Sequence, residues 1–177
     1  MQLVRRKGGV AVQESGEYIG SGVSLPDWER LPDIGLYMDQ MITLMERTFK
    51  GVLPEGEITR SMVNNYVKSG LLPRPVGKKY DRDHLARLMM ICLLKQALSM
   101  EHIAQILDMV CAQGTQIGYR HFCLEVDALK RQCSEEQMVM PETDRSFRAR
   151  AVRAGATAAL CAIHTRQLLG KIKLEEN

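Results

Sequence analysis

Asn64 and Asn65, set among Arg60, Ser61 and Lys68, are the side chains whose types and spacing best suit a chemical task. An Asn amide places a donor beside an acceptor, the pair that an adenine edge presents in reverse in the major groove of duplex DNA, while Arg, Lys and Ser hydrogen-bond phosphates or bases. Arg74, Lys78, Lys79 and Arg82 follow closely, and they suit phosphate or minor-groove contact. Charge is concentrated here. Between Thr59 and Lys95 eight basic residues face only Asp81 and Asp83, a net +6 in a chain whose total is +3, so the remainder carries −3. A positive field confined to one segment is what counterion release from phosphates requires, whereas a solvated basic face is the plainer alternative.

These residues need elements to position them. Thr59 or Ser61 can cap a short helix in which Val63, Tyr66 and Val67 share a face, and Gly70 ends it by accepting a left-handed conformation. Pro73 and Pro75 then confine the backbone to an extended edge segment. Gly77 supplies a turn, and Lys78, Lys79 and Tyr80 are predicted to return as the second strand of a small wing. Asp81 caps a helix burying Leu85, Leu88, Met89 and Cys92, and Ser99 caps another burying Ile103, Ile106, Leu107 and Val110. Upstream, Ile34, Met38, Met41, Ile42, Met45 and Phe49 recur at helical spacing, which predicts a helix from Asp33 to Phe49.

The string Met62-Val63-Asn64-Asn65-Tyr66-Val67-Lys68, with Gly70-Leu71-Leu72-Pro73, Lys78-Lys79-Tyr80 and Leu98-Ser99 before Ile103, resembles the DNA-binding domain of MerR-type regulators. With Leu36-Tyr37-Met38 included, residues 33 to 135 are most similar to a bacterial domain family of unknown function containing a MerR-like winged helix. The resemblance implies a mostly α-helical winged helix-turn-helix with a small two-stranded wing and additional C-terminal helices. It also implies sequence-specific binding of duplex DNA and transcriptional regulation. Where the regulators usually carry Arg-Tyr-Tyr-Glu this chain has Asn64-Asn65-Tyr66-Val67, so Asn64 or Arg60 must take the place of the missing Arg. The span Lys50 to Glu57 also replaces the familiar tight turn.

The rest of the chain limits the alternatives. Residues 1 to 32 are Gly-rich, lack periodicity and read as a flexible arm. No apolar run reaches the length of a membrane span and no signal-peptide core is present, so no membrane association and a cytoplasmic location are expected. Five cysteines, among them Cys111, Cys123 and Cys133, lack Cys-x-x-Cys spacing, and the four histidines lack ligand spacing. A metal- or oxidant-sensing role for those three, with His121 nearby, is the sharper reading; small buried apolar residues are the commoner one. No nucleophile or phosphate-loop motif is present, so neither an enzyme nor a cofactor is expected.

Tyr119 to Arg131 reads as a helix, Ser134 to Thr143 as a linker, and residues 144 to 174 as a long helix striped by Val152, Ala156, Ala159, Leu160, Ile163 and Leu168. By analogy that helix dimerises; otherwise it folds back over its own domain. The expected partners are duplex DNA, a second copy of the chain and a small-molecule or protein effector. The rival from another class is a protein-interaction adaptor that keeps the fold without DNA binding.

Overall fold

The structure, a computed structural model, describes residues 22–54, 58–134 and 146–175, which contain six α-helices and no β-strand. α1 spans Met38–Thr48 and α2 spans Arg60–Lys68. Thr59 is the cap of α2, its hydroxyl accepting from the Met62 N–H at 3.2 Å. Gly70 closes the helix at φ +78°, and the Leu72 N–H returns to the Tyr66 carbonyl, so Leu71 and Leu72 turn straight into the core.

α1 starts later than its apolar spacing predicts. Leu36 is extended and exchanges two 2.8 Å backbone hydrogen bonds with Tyr80, which excludes residues 33–36 from the helix and leaves Ile34 71% exposed. The same pairing explains why no two-stranded wing forms. Tyr80 gives both its N–H and its carbonyl to Leu36, and Asp81 already caps the following helix, so only one bridge, Val76 with Lys79, closes the turn.

α3 (Arg82–Leu94) is the centre of the molecule. Asp81 caps it, and ten of its thirteen residues are buried, from His84 to Leu94 around every side of the helix. Sequence spacing picks out a single apolar face, Leu85, Leu88, Met89 and Cys92, because it cannot show that other helices cover the remaining sides. α4 (Met100–Val110), capped by Ser99, and α5 (Thr115–Ser134) supply two of these covers.

α6 (Phe147–Glu175) supplies the third. Its stripe of Val152, Ala156, Ala159, Leu160 and Ile163 is buried against α3, α4 and α5 of the same chain, so the stripe that suggested dimerisation is internal. Gly155 permits the approach, since a Cβ there would lie 3.0–3.1 Å from methyl carbons of Ile106 and Leu98. Arg153 donates to Glu125 at 2.8 Å and ties α6 to α5 beneath the surface. The side chain of Leu168 lies outside the described residues, as does the linker expected at Ser134 to Thr143 apart from Ser134, which is the last residue of α5.

The N-terminal arm divides in the same way. Residues 1–21, with Arg5 to Lys7, lie outside the described residues. From Gly22 onward the chain is packed rather than loose: Val23, Trp28 and Leu31 are buried, and the Tyr119 hydroxyl donates to the Pro26 carbonyl at 2.8 Å. Trp28, in a short 3-10 turn at Trp28–Arg30, lies against the Tyr119 ring and beneath the Arg82 guanidinium. Among the described residues no helix is long and apolar enough to cross a membrane.

Candidate nucleic-acid interface

α2 divides its residues by face. Val63 and Tyr66 are buried, whereas Arg60, Ser61, Asn64, Asn65 and Lys68 are exposed, and the helix contains no acidic residue. A helix polar on its open side, with two amides and a hydroxyl free of the core, has the groups needed to bond base edges or phosphates. Arg60 differs from its neighbours. Its guanidinium lies 2.5 Å from the Asp39 carboxylate at the start of α1, a surface ion pair that links the two helices. Asn64, by contrast, stands exposed on the open side of α2.

The basic turn is built on backbone geometry. Gly77 and Lys78 have φ +57° and +63°, and the Lys79 N–H donates to the Val76 carbonyl at 3.0 Å, the pattern of a two-residue hairpin turn with both central residues left-handed. Glycine takes this conformation without cost. Lys78 takes it against its Cβ, so a side chain that Gly or Asn would replace with advantage is retained at the tip of an exposed loop. Lys78→Gly is expected to raise stability by roughly 0.5–1 kcal/mol, visible as a higher urea midpoint at unchanged slope, while weakening any polyanion contact made there. A stability loss would show that the Lys78 side chain supports the fold instead.

Lys79 is anchored as well as exposed. Its Cβ sits where a side chain at Gly35 would intrude, 2.9 Å from an ideal Cβ, and its ammonium lies 5.6 Å from the centre of the Tyr37 ring. Arg74 is exposed on the segment between α2 and the turn. Arg82 is not part of this open surface: its side chain is 22% exposed, pairs with Asp33 at 3.4 Å and stacks over Trp28, so it positions the N-terminal segment. Two further residues matter here. Tyr37, 54% exposed, and Asp39 join the two halves of the surface, because Tyr37 holds Lys79 while Asp39 holds Arg60. No local pattern marks them, since both contacts cross more than twenty residues of chain.

Residues 26–122 match the model of a protein family described as Domain of unknown function (DUF1836). The chain belongs to this family. The matched span runs from Pro26, which accepts from Tyr119, to Phe122 in the core, and it contains every exposed candidate from Arg60 to Lys79 but none of α6. No curated protein and no solved structure matches the chain.

Within and just beyond the family span lie the cysteines. Cys92 is fully buried, and burial raises the Cys111 thiol above its ordinary range, against a partly offsetting pull from Arg87. Burial pushes Cys123 up to about 12, more than the hydrogen bond with Tyr119 lowers it. A thiol held in this state is a poor nucleophile and a poor metal ligand at neutral pH. Among the described residues no group of three His, Cys, Asp or Glu side chains could hold a metal ion; the Cys133 side chain lies outside them. We expect Cys111 and Cys123 in the folded protein to react with an aromatic disulfide at least about tenfold more slowly than in urea, as read by mass spectrometry of labelled peptides. Fast native labelling of either would restore a sensing role.

Proposed function

We propose that the chain binds duplex DNA through α2 and the Val76–Lys79 turn and acts as a transcriptional regulator. In this reading α1 and α2 are a helix-turn-helix pair. α2 enters the major groove, and the turn is a wing reduced to its tip. The observation that carries the proposal is the open face of α2, where Ser61, Asn64, Asn65 and Lys68 stand together without an acidic residue. Lys78 and Lys79 stand on the linked turn. Asn64 suits bidentate pairing with adenine, whereas Lys68, Arg74, Lys78 and Lys79 suit phosphates. With its stripe buried internally, α6 is not proposed as a dimerisation element.

A second reading has its own support. Arg60 is engaged by Asp39, and the residue that the regulators use to contact DNA in this helix is absent, as an adaptor that keeps the fold for protein contacts would have it. Titration of labelled random duplexes at several salt concentrations separates the two. The DNA reading expects binding at low salt whose log affinity falls linearly with log salt, by about 0.9 per phosphate contact. Folded protein with no binding at low salt would leave the adaptor.

A further inference from the structure

A cleft of about 580 Å³ lies on the opposite part of the chain in sequence, between the end of α4, the first half of α5 and the start of α6. Its volume falls in the range of roughly 300–1,000 Å³ usual for small-molecule sites. The walls are apolar, with Met109, Val110, Phe122 and Val152 inside, and Ile117 and Leu124 are 44% and 64% exposed. Large apolar side chains on an outward face of α5 lose hydration free energy with nothing in the described chain covering them.

The polar groups of the cleft are unequal in charge. Glu125 is already matched by Arg153 at 2.8 Å, a contact made below the surface. Arg148, also lining the cleft, is exposed and has no ion-pair partner among the described residues. The uncompensated charge is therefore a guanidinium, whose planar fork fits a carboxylate with two parallel hydrogen bonds.

We propose that this cleft binds a small amphiphilic acid, with an apolar body against Ile117, Phe122 and Leu124 and a carboxylate on Arg148. The proposal is independent of DNA binding, because no residue of α2 or of the basic turn lines the cleft.

Calorimetric titration of the full chain with decanoate below its micelle-forming range is the test, with decylammonium as the charge-reversed probe. Saturable 1:1 binding of decanoate and none of decylammonium is expected. Arg148→Gln and Leu124→Glu, both at exposed positions, should each weaken it about tenfold or more with an unchanged circular dichroism spectrum. Absence of decanoate binding, equal binding of decylammonium, or an Arg148→Gln variant that binds as tightly as the parent would each overturn the proposal. So would light scattering that shows a dimer dissociated by Leu124→Glu, because a second copy would then occupy the cleft.

Discussion

Chains ending at residue 145 are expected to be unfolded or aggregated. Without α6, the side of α3 that Ala156, Leu160 and Ile163 cover becomes exposed, along with the neighbouring parts of α4 and α5. Deleting a single buried Leu or Ile side chain costs about 2–5 kcal/mol, and the whole stability of a domain is only about 5–15 kcal/mol, so losing the complete stripe exceeds what the remainder can sustain. Leu160→Ala in the full chain is the graded version, with an expected loss of about 2–5 kcal/mol in urea unfolding. Size-exclusion chromatography and circular dichroism of the truncated chain decide the matter. A soluble, helical and monomeric product would mean that α6 adds nothing to the core.

The second large effect concerns how the candidate interface divides its work. Lys78→Ala with Lys79→Ala should weaken binding about equally on all duplexes and flatten the log–log salt dependence by roughly 1.8, two contacts at about 0.9 each. Asn64→Ala should instead relax preference at one base pair, by roughly 1–3 kcal/mol if the amide bonds adenine with both of its groups. Competition between matched and singly mismatched duplexes reads both. A uniform loss from Asn64→Ala would show that α2 does not read a base at that position, and an unchanged salt slope after the double Lys change would remove the turn from the interface.

Local chemistry was legible in the sequence and remote chemistry was not. The Thr59, Asp81 and Ser99 caps and the Gly70 stop follow from one or two neighbouring residues, and the structure has all four. The exposure of Ser61, Asn64, Asn65 and Lys68 likewise follows from helical periodicity once Val63 and Tyr66 are assigned to the core. What the sequence did not show depended on partners far along the chain. The Leu36 pairing with Tyr80 shortened α1 and replaced the wing's partner strand, Asp39 engaged Arg60, and α6 turned its stripe inward. In each case a periodic pattern says that a face is covered, or a charge that it is available, without saying by what. Trp28 illustrates the same limit: in a Gly- and Pro-punctuated stretch it has no periodic neighbours, yet it joins Tyr119 and Arg82.

The placement of α6 also imposes a schedule on the newborn chain. Leu94 ends α3, and Val152, the first buried residue of its last cover, is made 58 residues later. At roughly 5–20 residues per second, about 3–12 s of synthesis separate the two. During that interval a helix that is apolar all round has only part of its shelter, and it is open to chaperones and to other unfinished chains. Slowing translation between residues 95 and 150 should therefore lower the yield of folded protein more than the same delay placed after residue 165.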